Sequence, residues 1–297
     1  MISSSDTMIL VVGATGNVGR EVVRQLAAAG APLRALVRNP AKASHIRLPG
    51  VDVVVGDLTR PETLDAALAG VDRVFLASPA HPDQVEHQGN LVQACKRSGA
   101  GRIVKVSVAG GPDAATQIGR WHWTTEKQIE ASGLGFTMLR PSLYMQQTLR
   151  FAPSIAATAS FALPCGSGEI PLVDCRDVAA VAVAALMSDD HDRHIYDLTG
   201  PESLSFEAVA AAIGQAVGRK VDYVHVPPDY ARKQMLADGV PAWLADDMLL
   251  LFASIREGYG GAVTDTVQNV TGERPRSYLQ FARDHAADFR EGRPLVN

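Results

Sequence analysis

The 297 residues carry 28 Lys and Arg against 32 Asp and Glu, a formal net charge of -4, with 46% hydrophobic and 20% charged residues. This is the composition of an ordinary water-soluble globular chain, and it supplies no basic field for gripping nucleic acid by its phosphates. Three dispersed cysteines, Cys95, Cys165 and Cys175, form neither a disulfide framework nor a metal-ligand cluster, which fits a reducing, cytoplasmic setting. No apolar run approaches the roughly 20 residues of a membrane span. The polar start MISSSDT lacks the basic region of a signal peptide and reads as a loose tail.

The first half alternates short apolar runs with helical patterns. MILVVG (8–13) is a buried strand, NVGREVVRQLAAAG a helix ending at Gly30, and PLRALVR a second strand followed by a short basic helix. VDVVVGD is a third strand, and RPETLDAALAG a short helix with Pro61 near its first turn. DRVFLAS is a fourth strand, HPDQVEHQGNLVQACKRSG a longer helix closed by Gly99, and GRIVKVSV a fifth strand. A helix around 121–132 leads to the strand GFTMLRP. Strict alternation predicts right-handed crossovers and a parallel sheet covered on both faces, a doubly wound α/β (Rossmann) fold.

The second half is less regular. VDCRDVAAVAVAALMSD is a helix behind an Asp cap from Asp174 or Asp177, and HIYDLTG is a strand able to rejoin the sheet. SLSFEAVAAAIGQAVG is a helix capped by Ser205, and KVDYVHV is strand-like. Residues 227–259 read as helices, the second starting at Pro241, and RPRSYLQFARDHAADF as one amphipathic helix. The expected division is a cofactor half over 1–150, with 175–200 rejoining its sheet, and a smaller mixed α+β substrate lobe over 151–297.

The segment VVGATGNVGR follows a strand and opens a helix, with Gly13, Gly16 and Gly19 three residues apart. Gly13 permits a tight turn, Gly16 lets backbone approach a pyrophosphate, and Gly19 lets helix pack on strand. Thr15, Asn17 and Val18 share this turn, whose helix N-terminus offers free N–H groups to phosphate. The second strand ends LVRNPAK, with Arg38 and Lys42 where NAD binders usually place an acid. A guanidinium suits a 2′-phosphate, so the expected cofactor is NADP (NADPH). Asp57, with Leu58 beside it, either accepts from an adenine amino group or caps the next helix.

Together the runs GATGNVG, LVRNPAKA, GVDVVVGDLTRPETL, AGVDRVFLAS, GRIVKVSV and HWTTEKQIEASGLGFTMLRPSLYMQ resemble the atypical short-chain dehydrogenases of the NmrA-like group. Within that group they are similar to the bacterial NADPH:quinone oxidoreductase and triphenylmethane reductase type. The resemblance extends through YDLTGPESLSFEAVAAAIGQAVGRKVDYV and TGERPRSYLQFARDH, nearly the whole chain. It implies that Ala77 and Ser78 pass the nicotinamide ribose and that Ser107 occupies the place of a substrate-facing serine. Pro141, Ser142 and Leu143 would lie near the carboxamide, with Tyr144 and Met145 toward a substrate pocket; a buried interface aromatic is the other reading of Tyr144.

Ordinary short-chain dehydrogenases use a YxxxK pair for acid–base work. Here His122 and Glu126 stand at that spacing, on one helix face. A carboxylate beside an imidazole favours the imidazolium, making His122 an expected general acid. The plain alternatives are a histidine packed between Trp121 and Trp123, and a Glu126 bonded to ribose or backbone. The other histidines, His81 and His87 included, show no metal-ligand spacing, and His191 and His194 read as solvated.

These features predict an NADPH-dependent reductase passing hydride to a conjugated, quinone-like or aromatic small molecule, since such acceptors tolerate loss of YxxxK. A non-catalytic NADP(H)-binding redox sensor remains open, as does a specialised-metabolite enzyme, reductase or isomerase, on the same fold. No nucleic acid or membrane partner is expected, and a homodimer is possible.

Overall fold

In the central strands the apolar runs are buried on both faces because helices cover both sides of the sheet. The computed structural model describes residues 7–259 and 261–294. Residues 1–6 of the expected tail lie outside the described residues, and Thr7 is already buried.

The sheet-forming half runs β1 (Ile9–Val12), α1 (Asn17–Ala28), β2 (Leu33–Val37), β3 (Val51–Val55), α2 (Leu64–Leu68), β4 (Arg73–Leu76), α3 (Gln84–Ser98), β5 (Arg102–Val106), α4 (Gln117–Ala131) and β6 (Gly135–Pro141). Then come α5 (Ala152–Thr158), β7 (Ser160–Leu163), β8 (Glu169–Ile170), α6 (Cys175–Met187), β9 (His194–Leu198), β10 (Leu204–Ser205), α7 (Phe206–Val217) and β11 (Asp222–His225). The chain continues through α8 (Pro228–Ala237), α9 (Ala242–Arg256), α10 (Thr266–Thr271), α11 (Tyr278–Asp284) and α12 (Ala286–Glu291).

Seven strands pair in the order β3-β2-β1-β4-β5-β6-β9, every pair parallel. The winding reverses between β1 and β4, so a crevice opens beyond their carboxyl ends. Helices α1 and α6 pack on one face with Val22, Leu26, Val178 and Val181; α2 and α3 cover the other with Leu64, Leu68, Leu91 and Cys95. A separate core, centred on Phe161, Phe206, Phe252, Tyr278, Phe281 and Phe289, gathers α5, α7, α9, α11 and α12 around two small sheets, β7 with β11 and β8 with β10, while α4 and α10 add Ile129 and Val267 to the cores of the main sheet. Among the described residues no helix is long and apolar enough to cross a membrane.

Three local expectations need correction. The short basic helix after β2 is two turns of 3-10 helix, Pro40–Lys42 and Ser44–Ile46, the first capped by the Asn39 side chain. The helix expected to begin near Trp121 starts at Gln117, because Thr116 caps it locally and Asp247 of α9 accepts the N–H groups of Gln117 and Ile118. The tail helix breaks between α11 and α12 at His285, whose ring packs on Phe281 and bonds Asp288.

The glycine turn is set by contact as well as conformation. Gly13 sits at φ +80°, and a Cβ there would lie 2.2 Å from the Ala77 carbonyl oxygen. A Cβ on Gly19 would lie 2.1 Å from the Gly13 carbonyl oxygen, so α1 docks against the turn only without a side chain. Gly19→Ala is therefore expected to cost about 1–3 kcal/mol through overpacking, read by urea denaturation; an unchanged midpoint would contradict this packing.

Candidate active site

The turn after β1 presents a free helix end. Gly16 is the N-cap of α1 and offers no side-chain cap, and the backbone N–H groups of Asn17, Val18 and Gly19 have no acceptor among the described residues. Thr15 and Gly16 are exposed and Asn17 is half-buried, so an anion can reach these groups. Arg38 follows β2, exposed and without an ion-pair partner among the described residues. Asp57 is close enough to feel its charge. Burial works to raise the Asp57 pKa, but hydrogen bonds from Thr59 outweigh it and, with Arg38, hold the carboxyl below its usual value. Asp57 thus closes its own turn through Thr59 at 2.9 Å, and the Leu58 carbonyl accepts from Asn90 at 2.9 Å.

Ala77 touches the glycine turn, as the Gly13 geometry shows, and Ser78 accepts a hydrogen bond from Gln88 at 2.8 Å. Nearby, both amide atoms of Gln84 and the Oε1 of Gln88 are buried with no partner among the described residues. Buried amides seldom stay unsatisfied, so this wall fits a polar ligand. The glycine turn, bare helix end, unpaired Arg38 and orphaned glutamines together fit a dinucleotide with a 2′-phosphate.

At the carboxyl end of β5, alternation along the strand directs Lys105 and Ser107 to one face, toward α4. There the Lys105 Nζ lies 2.7 Å from His122 Nδ1 and donates to the Val106 carbonyl at 3.0 Å. Ser107 Oγ donates to Glu126 Oε1 at 2.5 Å. Arg140 of β6 grips both oxygens of Glu126, at 3.0 and 2.5 Å. Lys105, Ser107, His122 and Glu126 are all buried.

This network corrects the charge logic read from the sequence. Glu126 spends both oxygens on Arg140 and Ser107 and makes no bond to His122. Burial, and then the neighbouring Lys105 cation, pull the His122 pKa well below its ordinary value. Burial also lowers the Lys105 pKa to about 7, with Glu126 opposing and Arg140 adding to the fall. The imidazole is thus neutral at physiological pH rather than an imidazolium. When Lys105 is an ammonium, Nζ donates to Nδ1 and the ring proton sits on Nε2. The site offers a fixed N–H donor, backed by a lysine. Ser107 has given its one proton to Glu126, leaving only lone pairs for a ligand.

Neither Lys105 nor Arg140 was among the expected site residues. Both lie within strands buried on two faces, where a basic residue has no solvent side and must meet a partner; that was the available signal. Pro141 is buried and Ser142 donates its backbone N–H to Leu198, tying β6 to β9. Tyr144 pairs through its backbone with Val173 and packs on the α1–α6 core. Its hydroxyl meets no partner among the described residues and does not join the His122 network; burial pushes its pKa well up. Asp174 caps α6, whereas Asp177 holds Arg276 instead of capping. His191 bonds the Tyr196 hydroxyl and is not simply solvated. His81, Asp83 and His87, passed over in the sequence, do converge, with ligand atoms within 4.8 Å of one another.

The NmrA-like family matches residues 5–271. The protein belongs to the NmrA-like family. A NAD(P)H azoreductase from Xenophilus azovorans is 43% identical over 283 residues, covering 95% of this NmrA-like chain and 99% of that protein. The structure of Citrobacter sp. triphenylmethane reductase complexed with NADP(H) matches at TM-score 0.84 and 26% identity, over 94% of this chain and 99% of that one. The NADPH-dependent quinone oxidoreductase from Escherichia coli complexed with NADPH matches at TM-score 0.85 and 26% identity, over 94% and 99%.

Glu126 is expected to act in this NmrA-like protein by holding Arg140 and Ser107. Glu126→Ala leaves a half-buried guanidinium and the Ser107 hydroxyl without their acceptor and should cost about 1–3 kcal/mol of stability. Denaturant unfolding checks this; a loss below about 1 kcal/mol, the worth of a surface pair, would contradict it.

Proposed function

We propose that the protein is an NADPH-dependent reductase of conjugated small molecules, quinones and azo compounds among them. The observation that carries the reading is the His122 site: a neutral imidazole with its N–H fixed by Lys105, at the position where tyrosine and lysine serve alcohol chemistry. The 43% identical azoreductase supports the acceptor class.

Bound NADPH supplies the hydride. The Gly13–Gly19 turn and the N–H groups of Asn17 and Val18 hold the pyrophosphate, and Arg38 holds the 2′-phosphate. Asp57 and Leu58 border the adenine, while Ala77, Ser78, Pro141 and Ser142 border the nicotinamide half. His122 Nε2–H stabilises the negative charge that develops on an acceptor oxygen or nitrogen, the role of an oxyanion donor. Ser107 accepts a hydrogen bond from substrate or cofactor, and Glu126 with Arg140 keeps it oriented. Tyr144 serves as pocket wall. A protein that only senses cofactor gains nothing from a buried lysine behind an imidazole, which weighs for catalysis.

Loss of reduced-nicotinamide absorbance, with NADPH and NADH in parallel against quinones, azo dyes and aliphatic ketones, tests the reading. NADPH should be oxidised by quinones and azo dyes and not by the ketones; no turnover with any acceptor would overturn it. Arg38→Ala should weaken NADPH binding about 10- to 150-fold, the worth of a charge-assisted hydrogen bond, and leave NADH little changed. Equal losses would remove the 2′-phosphate assignment.

A further inference from the structure

Lys105 is fully buried among the described residues, yet no carboxylate bonds its ammonium. A lysine is almost never buried this way unless paired, because desolvating the charge is costly. Methionine would fill the space between β5 and α4 at less cost. Packing therefore gives no reason for the amine. Its two hydrogen bonds do: one anchors it on the Val106 carbonyl, and the other, at 2.7 Å, points into the His122 ring. The nearest carboxylate, Glu126, is occupied by Arg140 and Ser107 and leaves the lysine proton free to move.

We propose that Lys105 is the proton source of the reduction, feeding His122 at Nδ1 while the Nε2 proton passes to the reduced acceptor. The inference rests on the reductase reading. An acceptor that has gained a hydride carries two new electrons and one negative charge on oxygen or nitrogen. The Nε2–H bond breaks and an O–H or N–H bond forms on the product. Lys105 Nζ gives a proton to Nδ1, so the ring stays neutral and the lysine becomes a neutral amine. A solvent proton then arrives at Nε2, and the Nδ1 proton returns to Lys105. No imidazolium need form if the two transfers are concerted.

The surrounding charges suit this direction. Lys105 faces His122 and Glu126 from α4, Arg140 from β6, and Ser107 along its own strand; Arg140 in turn faces Glu126, Asp197 and Glu130. With its pKa lowered to about 7, Lys105 gives up a proton near neutral pH far more readily than an exposed lysine. The supply must fail as pH rises through that value, since only the ammonium can donate.

Two acceptors separate the proposal from a structural role. A quinone needs a proton after hydride arrives, whereas a cationic triphenylmethane dye becomes neutral on taking hydride and needs none. Lys105→Met should lower the ratio of quinone to dye turnover by about 100-fold, within the range of general acid help. In the unsubstituted protein, quinone turnover should fall as pH rises through about 7 while dye turnover does not follow. Equal loss with both acceptors, or loss with neither, would overturn the relay. Nitrogen NMR of the cofactor-free protein provides a readout independent of turnover and of the variant's folding. His122 should show the Nε2–H form, with a step near pH 7 as Lys105 titrates. An Nδ1–H ring throughout that range would also overturn it. If the protein turns over neither acceptor, the reductase reading falls, and the NMR result still decides the Lys105–His122 pair.

Discussion

The contact between Lys105 and His122 governs what this site can do. A neutral imidazole can carry its proton on either nitrogen, and only the partner at one nitrogen decides what the other presents. Lys105 takes Nδ1, which turns Nε2 into a donor. That arrangement survives only because Glu126 is held elsewhere. Were its carboxylate free to reach His122, it would stabilise the imidazolium, and the half-buried Arg140 would lose its hydrogen-bonded partner. The Arg140–Glu126–Ser107 chain is thus the negative counterpart of the Lys105–His122 pair: it engages the carboxylate so that the lysine feels its charge but receives no bond from it.

The fold makes this possible by placing β4, β5 and β6 side by side in parallel, with α4 lying across the last two. The same reversal of winding that opens the crevice at β1 and β4 puts the glycine turn against Ala77. Cofactor wall and acid–base network therefore sit at one edge of one sheet. The lobe contributes at a distance as well: Asp247 of α9 fixes the first turn of α4, the helix that carries His122.

The sheet, its crossovers and the glycine turn were legible because their signals are local: apolar runs, helical spacing, and glycines between a strand and a helix. The start of α4 was only partly so: its Thr116 cap is local, but the carboxylate that takes the N–H groups of Gln117 and Ile118 belongs to Asp247, about 130 positions away. The break at His285 rests on local contacts, its ring on Phe281 and its Nδ1 on Asp288, which apolar periodicity alone does not distinguish from a continuous helix. The candidate site was half legible. His122 and Glu126 could be placed on one helix face from spacing alone, but spacing says nothing about what lies opposite. Lys105 sets the charge state of His122 and Arg140 holds Glu126, and each hides in a strand whose partner lies on another element. GRIVKVSV held a usable clue, since a strand covered on both faces has no wet side for a lysine.

Under the proposed function the reacting centre lies over His122, with its Nε2–H directed outward and its Nδ1 on Lys105. A crystal structure with NADPH and a quinone analogue bound decides this placement. The His122–Lys105 contact should be intact, with Nε2 within hydrogen-bond distance of the analogue's oxygen. An analogue bound away from His122, or a ring turned so that Nε2 meets Lys105, would contradict it.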